Sequence, residues 1–224
     1  MPETRVLLSF GGAFGGFPFA WELRNELMLN FGRSPVNNAG DDRFYVYLDA
    51  VSLIGEHGSL YRWNDTIYDV KFENEEWADF YEAAMGQAEY MLFLITLPWL
   101  QSKWCWQEYD RYLRERQLRP VDRPLKGIFV VFPDAAAVLN SVARLTIDRE
   151  HNTERELGPF HDRLEMLPEN TPPAADTAYE TTFWIPQTEG FYADVAPRGA
   201  VEFTRIYEYT CSDEMWALIM SAFF

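Results

Sequence analysis

The chain has 224 residues, enough for one large domain with a real core; 48% are apolar and an unusually high 17% are aromatic. Its 35 acidic against 19 basic side chains give a formal charge of −16, which repels phosphate backbones and anionic bilayers, so neither nucleic acid nor a membrane is an expected partner. Two distant cysteines, Cys105 and Cys211, and three scattered histidines offer no metal-ligand spacing, and a reduced, cytoplasmic setting is the simplest expectation.

Residues 5–10, RVLLSF, are a short apolar run closed by glycines, as in a strand covered on both faces. Over 18–31, Phe19, Leu23, Leu27 and Phe31 step by four and Ala20 joins them, which predicts an amphipathic helix with Pro18 in its first turn. The Asn, Asp, Gly and Pro of 33–42 predict a loop, and 43–49 (RFYVYLD) a second strand. Residues 50–76 have no regular period. A helix is predicted over 77–88, a buried strand over 89–96, a helix over about 103–116 and a strand over 126–133. This alternation is that of a parallel sheet covered by helices. Further on, 135–145 reads as a helix, 134–200 as a turn-rich insertion, and 201–224 as a closing strand and helix, all within a single domain spanning 1–224.

Two features point to chemistry. The glycines at 11, 12, 15 and 16 follow the first strand, where backbone amides can approach a phosphate, but they lack the G-x-G-x-x-G spacing, and a plain loop explains them equally. The second is Glu108, in WLQSKWCWQEYDRYL. Helical spacing puts Cys105, Tyr109, Tyr112 and Leu113 inward, Gln107, Asp110 and Arg111 outward, and Glu108 on the shoulder of the buried face, one turn past Trp104. A carboxylate beside indole can hold a sugar hydroxyl and steady an oxocarbenium-like centre. A shoulder acid paired with Arg111 is the alternative.

In order and content these segments resemble a bacterial Toll/interleukin receptor (TIR) domain. Ser9 and Phe10 close the first strand, Asp49 is followed four residues later by Leu53, Trp77 opens a helix carrying Ala84 and Ala88, and Thr96-Leu97-Pro98 follows the third strand. The motif Ser-x-Trp-Cys-x-x-Glu is complete in Ser102, Trp104, Cys105 and Glu108. The resemblance covers about 4–133 and implies a flavodoxin-like α/β fold. It also implies an enzyme that cleaves the nicotinamide–ribose bond of NAD+, with Glu108 catalytic and with Phe10, Gly11, Gly12, Asp49, Leu53, Trp77 and Trp104 lining the substrate site. NAD+ is then a substrate, with no metal and no resident cofactor. The product is ADP-ribose or a cyclic isomer, anti-phage defence the setting, and TIR–TIR homo-oligomers the assembly. Gly11 and Gly12 stand where many members carry Arg or Lys, so a cation must come from elsewhere, for which Arg62 and Lys71 are candidates. A non-catalytic adaptor or a nucleotide-sensing module is the alternative function.

Overall fold

The computed structural model describes residues 3–11, 16–35, 44–49, 61–63, 66–68, 74–141, 144–148, 153–157, 160, 179–186, 191–194 and 205–224. The chain runs β1 (Val6–Phe10), α1 (Gly16–Asn30), β2 (Val46–Tyr47), β3 (Tyr61–Trp63), β4 (Thr66–Tyr68), α2 (Asn74–Gln87), β5 (Tyr90–Ile95), α3 (Leu97–Leu100), α4 (Lys103–Leu118) and β6 (Lys126–Val131). It continues with α5 (Pro133–Ser141), β7 (Arg144–Asp148), β8 (Thr153–Glu156), β9 (Glu180–Trp184), β10 (Phe191–Asp194), β11 (Arg205–Glu208) and α6 (Asp213–Ser221).

Five strands form one parallel sheet in the order β2-β1-β5-β6-β9. Counted along the sheet-forming strands this is the flavodoxin-like order 2-1-3-4-5, so the α/β class expected from the sequence is the one observed. Strand periodicity divides the core in two. Leu7, Met91, Phe93, Ile95, Phe129 and Val131 pack with α2, α3 and α4 on one face. Val6, Leu8, Leu92, Leu94, Ile128 and Val130 pack with α1 and α6 on the other. Each large side chain fully removed from water contributes about 1.5–3 kcal/mol, which is why nearly continuous apolar runs are confined to these strands.

The elements start and stop for local reasons. α1 closes on Gly32 at φ 70°, with Gly32 N–H donating to Leu29 O and Arg33 N–H to Met28 O. That left-handed cap suits glycine, which has no Cβ to clash. α4 begins at Ser102, whose side chain accepts from Cys105 N–H, and α6 begins at Ser212, which accepts from Met215 N–H.

The fifth sheet strand differs from the sequence reading. It is Glu180–Trp184, inside the stretch read as an insertion, and it pairs with β6 from Gly127↔Glu180 to Val131↔Trp184. The aromatic run expected to close the sheet does form a strand, β11, but pairs antiparallel with β10 in a separate ribbon. β9 lies at the sheet edge and is half polar (ETTFW). Tyr112 and Arg116 of α4 both donate to its Glu180 carboxylate. A hairpin, β3–β4, occupies part of the stretch that had no readable period.

Candidate functional site

Ser9 lies at the carboxyl end of β1, two residues beyond Leu7, so it faces α4 rather than α1. From α4, Cys105, Trp106, Glu108, Tyr109 and Tyr112 are buried. Glu108 is only 6% exposed and Ser9 is fully buried. The Ser9 hydroxyl donates to Glu108 Oε2. Trp99 Nε1–H donates to Ser9 Oγ at 2.8 Å, and the Cys105 thiol donates to the Phe10 carbonyl at 3.5 Å. β1 and α4 are thus tied together at the point where β1 ends.

Trp99 is held as firmly as its partner. Thr96 caps α3, accepting from Trp99 N–H at 3.2 Å. Leu97 N–H donates to Asp134 Oδ2 at 3.0 Å, and Trp106 Nε1–H donates to the Leu100 carbonyl at 2.8 Å. The Trp99 ring packs 5.2 Å from Trp106, and Phe160 stacks on it at 5.7 Å. Every indole N–H in this cluster with an assigned partner points at an oxygen, as buried indoles require.

The electrostatics follow from burial. Loss of water pushes the Glu108 carboxyl well above the usual carboxylate range, and the negative charge of Asp49 pushes it further. The Ser9 hydrogen bond, the nearby Tyr81 hydroxyl and the charge of Arg111 oppose that shift without cancelling it. Burial also raises Tyr81, Tyr47 and Cys105, and the negative charge of Asp49 adds to the rise at Tyr47. Asp49 and Glu108 are therefore near enough for the charge of one to disfavour ionisation of the other.

The place is informative as well. In the order β2-β1-β5, the connections on the two sides of β2 in the chain cover opposite faces: α1, between β1 and β2, belongs to one core and α2, between β2 and β5, to the other. The strand order reverses between β1 and β5, whose register ends at Phe10↔Leu94. Open α/β sheets bind ligands beyond the carboxyl ends of strands at such a reversal. Glu108, Ser9, Phe10, Gly11 and Asp49 all lie there.

The residues singled out from the sequence are brought together unevenly. Glu108 is deeper than the shoulder position derived from ideal spacing, because Ser9 offers it a hydrogen bond inside the fold. Trp106 joins the inward arc that spacing had not given it. Phe10 is half-buried at the strand end. Gly11 is buried, and a Cβ there would sit 2.7 Å from the Trp99 backbone nitrogen, so the position has no room for a side chain. Trp104, 39% exposed, lies one turn before Glu108 with Lys103 Nζ 5.1 Å from its ring centroid. The indole that contacts the Ser9–Glu108 pair is Trp99. Trp77 is in the first turn of α2, and its side chain, like those of Arg62 and Lys71, is outside what the structure describes; Gly12 and Leu53 are outside the described residues altogether. Sequence reasoning assigned no site role to Trp99, Tyr81 or Tyr47. The only available signal for Trp99 was its place just after the third strand of the α/β alternation.

Two cavities lie away from this edge. One, of about 420 Å³, is at the opposite edge of the sheet near Thr4, Arg5, Glu89 and Lys126. The other, of about 570 Å³, lies between α1 and α6 near Phe19, Tyr209 and Trp216. The first is lined by exposed and half-buried charges of both signs, Arg119, Asp122 and Arg123 among them, whereas the β1–α4 edge holds the buried Ser9–Glu108 pair at a strand-order reversal.

Over 131 residues the chain is 31% identical to the 3' cyclic ADP-D-ribose synthase HopAM1 of Pseudomonas syringae pv. tomato. That similarity spans 58% of this chain and 45% of the relative, so less than half of the relative's length is represented. No family model matches the chain, and no solved structure matches it. Among the described residues no group of three or more His, Cys, Asp or Glu side chains is placed to hold a metal ion. No helix among them is long and apolar enough to cross a membrane.

Proposed function

We propose that the chain is a TIR-type enzyme that cleaves the nicotinamide–ribose bond of NAD+, leaving ADP-ribose or closing it into a cyclic ADP-ribose isomer. The observation that carries this reading is the buried carboxyl of Glu108, hydrogen-bonded to Ser9 at the strand-order reversal. The name of the 31%-identical relative supports the cyclising outcome.

In this reading Glu108 waits in a site that favours its neutral form, because burial and Asp49 both disfavour a second negative charge. A cationic pyridinium ring and ribose entering beside it reverse that preference, so the acid gives its proton to solvent and stands ionised opposite the charge it must steady. The C1″–N bond then breaks with its electron pair going to nicotinamide, which leaves neutral, and the cationic character passes to the ribose. Glu108 holds a ribose hydroxyl and stabilises that cation more strongly than the ground state. Water, or a hydroxyl of the adenosine ribose of the same molecule, attacks C1″ and passes its proton to the Glu108 carboxylate, which returns to its neutral form. Trp104, exposed one turn away, supplies a flat face for the nicotinamide side, and Phe10 and Gly11 border the opening. By the same resemblance we assign the activity to anti-phage defence signalling and expect TIR–TIR assembly.

The test is chromatography of NAD+ incubated with purified protein, with Glu108→Gln in parallel. Nicotinamide must appear in equal amount to ADP-ribose plus its cyclic isomer, and the variant must lose that activity. Undiminished nicotinamide release by Glu108→Gln overturns the assignment. A second reading, a non-catalytic module acting by assembly, draws on Gly11, which leaves no side chain where many TIR domains carry a cation. Intact NAD+ in the presence of a protein that self-associates on a sizing column favours it.

A further inference from the structure

We propose that Ser9 and Trp99 are positioning residues: the indole orients the serine hydroxyl, and the serine fixes Oε2 of Glu108 and with it the orientation of the carboxyl group. The inference rests on the NAD+-cleaving reading above and adds to it a pair of residues for which neither the comparison nor the sequence gave a site role.

The geometry is directional. An indole N–H can only donate, and Trp99 Nε1 lies 2.8 Å from Ser9 Oγ. That contact occupies a serine lone pair, and the serine's own proton goes to Glu108 Oε2. Both members are fully buried, so water does not compete for either bond. Their backbones are fixed separately: Ser9 sits within the β1–β5 ladder opposite Phe93, and Trp99 lies on the capped turn of α3 beside the Asp134 anchor. A side chain held at both ends by rigid elements sets its partner's orientation closely. A serine buried at the end of a parallel strand has no need to bond a residue 99 positions away merely to be satisfied, since nearby carbonyls accept a hydroxyl equally well.

Two consequences follow for the acid. Its rotamer is fixed before substrate arrives, which favours turnover more than binding. Its ionised form is favoured by the serine proton, against the titratable and charged groups that face it from the surrounding elements. These are Asp49 and Tyr47 at the end of β2, Tyr81 of α2, and Cys105 and Arg111 of α4 itself. Without the serine proton the balance moves further toward the neutral acid, and a higher pH is needed to ionise it.

The experiment compares wild type, Ser9→Ala, Trp99→Phe and Glu108→Gln in steady-state nicotinamide release from NAD+ across pH, with thermal unfolding of each. For Ser9→Ala the expected result is a fall in kcat of about 10–100-fold with KM within about threefold. The acid limb of the profile moves upward by about one pH unit, since a hydrogen bond to a charged group is worth that much in proton affinity. Trp99→Phe, which keeps the ring and loses only the N–H, shifts the limb the same way by less. Ser9→Thr, which retains the hydroxyl, restores the wild-type limb even where its extra methyl lowers the melting temperature. Lower stability and lower kcat with an unmoved acid limb in Ser9→Ala and Trp99→Phe overturns the proposal and leaves Glu108 in place. Activity retained in Glu108→Gln overturns the underlying reading instead.

Discussion

Replacing Glu108 by Gln separates what the acid does for catalysis from what it costs the fold. Glutamine has nearly the same shape, and its carbonyl still accepts from Ser9, so packing changes little. The charge, however, is gone. In the native protein burial and Asp49 hold the Glu108 carboxyl well above its value in the unfolded chain, about 4.3. Between those two values the native state binds more protons than the unfolded state, so stability contributed by this group falls as pH rises through the window. The limiting slope is about 1.4 kcal/mol per pH unit, or roughly 3–5 °C of melting temperature per unit for a chain of this size. Glu108→Gln abolishes that slope. The two proteins are expected to melt together near pH 4, and the variant is expected to become progressively the more stable as pH rises toward the native value. It also loses NAD+ cleavage by at least about 10²-fold, the order seen when one transition-state electrostatic contact is removed. Melting curves from pH 4 to 8, read beside nicotinamide release, check both halves. A melting difference that does not change with pH, or a variant less stable at pH 8, refutes the burial argument.

Gly11→Ala places a Cβ 2.7 Å from the Trp99 backbone nitrogen, so the α3 turn must move; a loss of about 1–3 kcal/mol in denaturant unfolding is expected, accompanied by reduced turnover. Arg119→Ala removes donors to the Met85 and Ala88 carbonyls, at 2.7 and 3.2 Å, and to Glu115. It is expected to cost about 1.5–3 kcal/mol in the same assay while kcat at 25 °C stays at the wild-type value, because these bonds lie at the far end of α4. Trp104→Ala, at a side chain 39% exposed, is expected to shift stability by less than about 1 kcal/mol and to raise KM for NAD+; an unchanged KM removes Trp104 from the nicotinamide side.

The parallel sheet was legible because its strands are buried on both faces and so read as unbroken apolar runs, as in Tyr90–Ile95. β9 escaped because it is an edge strand with Glu180 and two threonines, and its Glu180 is held by Tyr112 and Arg116 of α4, a long-range contact that local composition does not record. The ribbon strand β11 has the better strand composition yet pairs outside the sheet. Glu108 was found from its helical position, but its depth was not, since that depends on a hydroxyl at the end of β1. Trp99 was hidden in a run of three indoles, where spacing cannot say which one turns its N–H toward the acid.

The hydrogen bond between Ser9 and Glu108 joins residues 99 positions apart, and every ladder of the sheet connects strands distant along the chain. Contacts of that kind form late, after most of the loop-closure entropy has been overcome. A chain still on the ribosome, or one that has lost its tertiary packing, therefore has the acid without its setting. On the proposed reading, NAD+ cleavage would begin only once folding is complete.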